Sequence, residues 1–402
     1  MNRTHRIDPL LVLRGCAVVA ILLYHMQYPG VNIPLLWGYD FRWITISNSY
    51  AFVWIFFILS GYLIGKGFFT HRYSLNQTGL LRYLGKRILR IVPYYYCIVL
   101  INIFLFRLWL ASDRWEVLIK VFTFTASDQV VRNGIDYLWM ISTEMQWYVL
   151  APLAYFLLVF LLKINKKRVL MGIILSALVI GGGFFLRQRA FFDNYPIEPW
   201  QYLLNIYTPI IYNLDFFLFG FLLNLFVYRS AEGTDKSSRF PQKLVMALAG
   251  CGVVALYFLG SYLSSRLFVA HAQYVYYQGI LLPILTMFIC GFYIYAAERG
   301  AYTTSHALTQ NRNQSFWKRI HPMYLLQWIG LISYQLYLVH IPIMKTLRLH
   351  CNLPYAYGCT IEQFVQRFVT LLGLSLLFAV VFRSIVQMAL FRIYNPNKLK
   401  RY

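Results

Sequence analysis

Ten stretches of this chain are each apolar and long enough to be at home in lipid, and this limits the fold more than any other feature. They lie near residues 10–29, 44–65, 91–110, 137–162, 169–186, 206–228, 244–262, 275–297, 324–344 and 363–390. A bilayer core about 30 Å thick is crossed by roughly 20 apolar residues of helix. The expected fold is therefore all-α: a polytopic integral membrane protein with about ten transmembrane helices. Only 13% of the 402 residues are charged and 59% are hydrophobic, whereas soluble domains carry about 25% charged residues. No connection is long enough to hold a separate soluble domain, so residues 1–402 read as a single membrane domain.

The formal net charge of +23 does not point to nucleic acid, because no basic soluble module is present to bind it. Loops on the cytoplasmic side of membrane proteins accumulate Lys and Arg. With ten helices and an inner N-terminus, most of the 37 basic residues fall on that side, so both termini are expected in the cytoplasm. The basic start and apolar middle of residues 3–24 have the outline of a signal peptide. Arg14 interrupts the apolar part, however, and the segment reads as a retained first helix. The outer stretch 114–126 reads as an amphipathic interfacial element, and the polar inner stretch 298–322 as a loop. Cys351 and Cys359 share one outer loop, where an oxidising compartment permits a disulfide.

Ionisable groups inside the apolar stretches are costly and mark functional sites by default. Arg14 and His25 are eleven positions apart in the first stretch, which on a helix is three turns plus about 20°. They share one face, about 16 Å apart along the axis. Either alone is explained by snorkelling or packing; together they suggest a lined path. Glu144 lies too deep in its span to snorkel easily, and His25, at comparable depth, is its expected partner. Arg87 and Arg90, three apart, suit a phosphate clamp but also ordinary positive flanking before a membrane entry at Pro93. Gly61 and Gly65 form a GxxxG pair that reads as close helix packing, with Ser60 beside them. Tyr337 and His340 are neighbours on one helix near its outer end. Asp215, Arg107 and Arg383 are further charges within apolar stretches, with no role assigned. The histidines are dispersed without HExxH or paired CxxC spacing, so no metal is expected.

Together these stretches resemble the membrane-bound acyltransferase 3 family of bacterial polysaccharide O-acyltransferases. Arg14 and His25 match its Arg-x10-His pattern. Phe56, Phe57, Ser60, Gly61 and Tyr62 match an FFxxSGF-like stretch, and Arg87, Arg90 and Pro93 a basic RxxR before proline. Trp139, Ser142, Glu144 and Tyr148 match a tryptophan-to-glutamate stretch, and Tyr334, Leu336, Tyr337 and His340 a late tyrosine-to-histidine helix. An acidic residue that often lies just before the family's arginine is here Asp8, six positions away, and Met140 and Val339 replace residues that are often Ser and Trp.

The resemblance implies transfer of an acyl group, usually acetyl from acetyl-CoA, to a sugar hydroxyl of a bacterial surface or exported polysaccharide. It implies a location in the bacterial inner membrane, with membrane lipid and a carbohydrate acceptor as partners. Arg14, Arg87 and Arg90 would hold the CoA phosphates. His25, oriented by Glu144, would act as general base on the acceptor or carry the acyl group transiently. Ser60, Trp139, Tyr337 and His340 would contact substrate. A flippase for a lipid-linked glycan is the rival reading, since buried charges also serve proton relays; an envelope scaffold is another.

Overall fold

The computed structural model describes residues 7–26, 49–105, 114–126, 136–164, 168–197, 199–227, 242–266, 271–305, 322–350 and 360–394. Cys351, Cys359 and Arg107 lie outside them. The described residues are helical, with no strand. In chain order the helices are α1 Pro9–Met26, α2 Ser49–Phe69, α3 Gln77–Leu105, α4 Arg114–Phe122, α5 Trp139–Ile164, α6 Arg168–Asp193 and α7 Pro199–Tyr202. Then come α8 Leu214–Leu222, α9 Gln242–Arg266, α10 His271–Tyr276, α11 Leu282–Ser305, α12 Pro322–Leu331, α13 Ser333–His350 and α14 Ile361–Tyr394. Seven helical segments among the described residues are long and apolar enough to cross a membrane, and Pro9–His25 and Leu214–Val227 are shorter apolar ones. This is a multi-pass membrane protein, and the described part of each of the ten apolar stretches is largely helical.

Local chemistry sets where several helices begin. The Asp8 carboxylate accepts from the backbone N–H of Leu10 at 2.9 Å, with Pro9 at the first helical position, so α1 starts with a side-chain cap. The backbone N–H of Asp8 in turn bonds Gln327 Oε1 on α12 at 2.7 Å. Thr360 and Gln363 cap each other reciprocally at the start of α14, with bonds of 3.1 and 3.2 Å, a capping box with glutamine.

Helix α2 sits at the centre. Its apolar window is 78% buried inside the protein, against 17% for α6 and 22% for α14, so the latter two face lipid. Two helix pairs approach so closely that only glycine fits. A Cβ on Gly61 would lie 2.0 Å from the Phe217 carbonyl oxygen on α8, and one on Gly220 would lie 2.0 Å from that of Ile58 on α2. A Cβ on Gly65 would lie 2.4 Å from the side-chain nitrogen of Asn224 and 3.2 Å from Phe221 of α8, so the GxxxG pair is a packing face against α8 and the residues just past it. The second crossing pairs Gly15 of α1 with the Leu326 carbonyl, and Gly330 of α12 with that of Leu11. Arg14 and Ser60 therefore stand directly beside the two tightest crossings. Gly61→Val should push α8 off α2 and destabilise the protein by at least about 1–3 kcal/mol, the usual cost of overpacking. Thermal unfolding in detergent checks this, and wild-type stability would contradict it.

The structure corrects several details of the sequence reading. Helix α3 begins at Gln77 and runs through Pro93, so Arg87 and Arg90 lie on the spanning helix itself and not before it. The stretch 324–344 is two helices, broken at Ile332. The stretch 298–322 is helical as far as Ser305, and residues 306–321 lie outside the described residues. The stretch 114–126 contains helix α4, which buries Val117 and Val121 and exposes Trp115 and Ile119. Tyrosines of α3 hold it: Tyr95 and Tyr96 donate to the carbonyls of Val121 and Phe122 at 2.9 and 2.8 Å.

Candidate active site

Two polar clusters lie at the two ends of α1. The one at its C-terminal end is built on histidine. His25, in the last turn of α1, has its ring 5.2 Å from that of His340 on α13. His340 is fully buried, and its Nδ1 lies 2.5 Å from the Tyr337 carbonyl oxygen. A carbonyl can only accept, so Nδ1 carries the proton and Nε2 of the neutral ring presents a lone pair. That Nε2 is buried and has no hydrogen-bond partner among the described residues.

Neighbouring elements lock this imidazole. The Tyr137 ring meets it at 5.8 Å. The Tyr137 hydroxyl donates to the Leu338 carbonyl at 3.0 Å and accepts from Asn102 of α3 at 2.8 Å. The Tyr337 hydroxyl donates to the Tyr137 carbonyl, so Tyr337 secures the helix turn that bears His340. Trp139, at the start of α5, packs between the rings of Tyr207 and Phe57, at 4.9 and 5.9 Å.

The cluster toward the N-terminal end of α1 is built on Glu144. Its Oε1 accepts from Ser60 at 3.0 Å and from Tyr148, one turn along α5, at 2.5 Å. Arg14 interacts electrostatically with Glu144 and Tyr148, and also with Arg90 and Arg87. Its guanidinium lies 5.6 Å from the Phe56 ring centroid. The Arg87 guanidinium stands 5.3 Å over Tyr148 and 5.7 Å over Tyr83. Both Arg14 Nε and Arg87 Nε are buried without a hydrogen-bond partner among the described residues. Three guanidiniums thus share one named carboxylate, a surplus of positive charge and free donors suited to an anionic ligand.

The expected site residues therefore fall into two groups. Arg14, Arg87, Arg90, Glu144 and Ser60 come together toward the N-terminal end of α1, and His25, His340, Tyr337 and Trp139 toward its C-terminal end. The pairing of Glu144 with His25 is corrected: the carboxylate bonds Ser60 and Tyr148, and the histidine meets His340. Helix α5 begins at Trp139, packed against Phe57 of α2, and five residues further on Glu144 meets Ser60, three residues past Phe57. Glu144 consequently lies level with Ser60 and Arg14.

Sequence reasoning missed a third polar group. Arg187 donates to Asp215 Oδ2 at 2.7 Å and to the Tyr212 carbonyl at 2.8 Å, and the pair is 2% and 6% exposed. Arg187 lies one residue past the apolar stretch that ends at 186, so the sequence alone gives no sign that it is buried. A Cβ on Gly183 would lie 2.0 Å from the same carboxylate oxygen, so the pair is sealed by backbone. Arg383 reaches the Leu331 carbonyl at 3.5 Å. Among the described residues no three His, Cys, Asp or Glu side chains converge as metal ligands would.

A protein-family model described as an acyltransferase domain matches residues 7–384. The chain is 22% identical over 350 residues to the O-acetyltransferase OatA of Staphylococcus aureus (strain NCTC 8325 / PS 47), covering 83% of this chain and 49% of that protein. It is 25% identical over 354 residues to the peptidoglycan O-acetyltransferase OatA of Listeria monocytogenes serovar 1/2a, covering 83% and 48%. It is 25% identical over 298 residues to the regulator of hypoxia-inducible factor 1 of Caenorhabditis elegans, covering 62% and 57%. The chain thus spans about half the length of the curated relatives it matches. No solved structure matches it.

Proposed function

The chain belongs to the acyltransferase family that this domain defines, and from that premise we propose that it is a membrane O-acetyltransferase of cell-envelope polysaccharide. In this reading acetyl-CoA enters from the cytoplasmic side, the acceptor sugar arrives at the outer face of the bacterial inner membrane, and both termini are cytoplasmic. One observation carries the reading: a single helix, α1, holds Arg14 among arginines at one level and His25 against His340 at the other. The relatives named for O-acetyl transfer, one of them to peptidoglycan, support the acetyl group and a carbohydrate acceptor.

The residues divide the work by charge. Arg14, Arg87 and Arg90 would hold the phosphates of the donor, as guanidiniums hold phosphate oxygens through paired donors. Glu144, bonded by Ser60 and Tyr148, would fix Arg14 and limit the mutual repulsion of the three cations. The flexible arm of the donor would then bring the thioester toward His25.

A sugar hydroxyl is a weak nucleophile until a base takes its proton. His25 accepts that proton as the oxygen attacks the thioester carbonyl and a tetrahedral intermediate forms. Collapse breaks the C–S bond, and His25 returns the proton to the departing thiolate. The products are a sugar ester and free CoA, with the histidine restored. Buried His340 supplies a second imidazole beside the first, its tautomer set by the Tyr337 carbonyl.

The test uses the full chain in lipid nanodiscs, with acetyl-CoA and envelope polysaccharide of the producing cell stripped of its esters by mild alkali. The reading expects release of free CoA that depends on the acceptor, and a polysaccharide mass gain of acetyl units. A flippase would release no CoA, and that result would overturn the proposal.

A further inference from the structure

Five buried or half-buried phenols, those of Tyr24, Tyr50, Tyr202, Tyr207 and Tyr337, crowd the histidine level. The Tyr50 ring is 4.4 Å from Tyr207, 6.0 Å from Tyr202 and 5.9 Å from Tyr24. Tyr207 is electrostatically coupled to Tyr202, Tyr337 and Tyr24. Two of those neighbours flank the histidines: Tyr24 lies 5.3 Å from His25, and Tyr337 lies 5.4 Å from His340.

Tyr207 is only 6% exposed, and its hydroxyl has no hydrogen-bond partner among the described residues. A buried hydroxyl left unbonded is unfavourable, so such a group calls for an explanation. The backbone is shaped to put it there. Tyr207 closes a π-helical turn, Leu203–Tyr207, a rare geometry found often at functional sites. Asn213 Nδ2 grips the Tyr207 carbonyl at 2.7 Å, and Tyr50 and Trp139 hold the ring edge-on at 4.4 and 4.9 Å. The ring is clamped, and its hydroxyl alone is left to bond.

The same level holds the unpartnered Nε2 of His340, which accepts where Tyr207 donates. A donor and an acceptor set among aromatic rings match a sugar, which offers hydroxyls at its rim and an apolar C–H face. Among the described residues, the rings that touch Tyr207 are phenols and indoles. The guanidinium of Arg187, which acts on Tyr202, is already bonded to Asp215. These surroundings favour an uncharged sugar unit.

Resting on the acyl-transfer reading, we infer that Tyr207 is a specificity-determining residue for the acceptor, its hydroxyl bonding a hydroxyl of an uncharged pyranose unit held beside His340. The test is Tyr207→Phe in the full chain, assayed with acetyl-CoA and the de-esterified polysaccharide described above. The half-saturating acceptor concentration should rise about 10-fold, the worth of one such bond. The half-saturating acetyl-CoA concentration should not move. Because the variant removes a hydroxyl that the fold leaves unbonded, its melting temperature should equal or exceed that of the wild type. A merely structural tyrosine would give the opposite pair of results. An acceptor constant within twofold of the wild type, an equal rise for acetyl-CoA, or a lower melting temperature would each overturn the inference while the acyl-transfer reading stands. A wild-type protein that transfers no acyl group would overturn that reading first, and this inference with it.

Discussion

Replacing His25 by alanine is expected to slow acyl transfer by about 100- to 10,000-fold, the range supplied by a positioned general base. Donor binding should survive, because Arg14 and its partners lie about 16 Å away along α1. The fold should survive too. His25 is only partly buried, at the end of its helix, and its removal leaves no buried charge without a counter-ion. Initial rates with acetyl-CoA and de-esterified polysaccharide, beside calorimetric binding of CoA, separate these effects. A variant that keeps a tenth of the wild-type rate would exclude His25 as the base.

Arg187→Leu is expected to destabilise the protein by about 3–5 kcal/mol, the penalty for breaking a buried ion pair from one side. Asp215 would be left 6% exposed with no cation, and the Tyr212 carbonyl would lose its 2.8 Å bond. The consequence should extend beyond the pair. Arg187 also lies 5.3 Å over the Phe216 ring, which stacks on Trp54 at 5.1 Å, and Trp54 touches Tyr207 at 5.8 Å. Loosening α8 therefore disturbs the wall of the histidine level. Replacing both partners by leucine should recover most of the stability, since a buried pair often gives way to apolar residues at little cost. Reversible unfolding in mixed detergent measures both variants. A single variant as stable as the wild type would show that the pair contributes nothing.

The contrast between Arg14 and Arg187 shows what sequence can and cannot convey. Arg14 and His25 lie on one uninterrupted helix, so simple angular arithmetic already put them on one face. The apolar stretches likewise marked where helices run, because lipid demands the same length from each. Arg187 sits just past the end of an apolar run, and its partner, 28 residues on, meets it only after α6 packs on α8. Glu144 reads in sequence as a carboxylate within an apolar span, but its partners Ser60 and Tyr148 follow only from how α5 packs on α2. The packing of Trp139 against Phe57 brings Glu144, five residues on, to Ser60. The break at Ile332 escaped notice for a related reason. Both flanking segments are apolar, and the turn exists because α12 crosses α1 at Gly330 and Gly15 before α13 restarts at Ser333. Tyr207 carried no signal in spacing or composition. Its meaning comes from an unbonded hydroxyl, which only coordinates reveal.

The central claim is that donor and acceptor meet from opposite sides of the membrane, at the two ends of α1. Sealed proteoliposomes with the chain in one known orientation test it, acetyl-CoA and de-esterified polysaccharide being confined to chosen sides. Transfer should occur when acetyl-CoA faces the Arg14 end and polysaccharide the His25 end, and should fall to background when the two are exchanged. Equal transfer with both substrates on one side would contradict the claim.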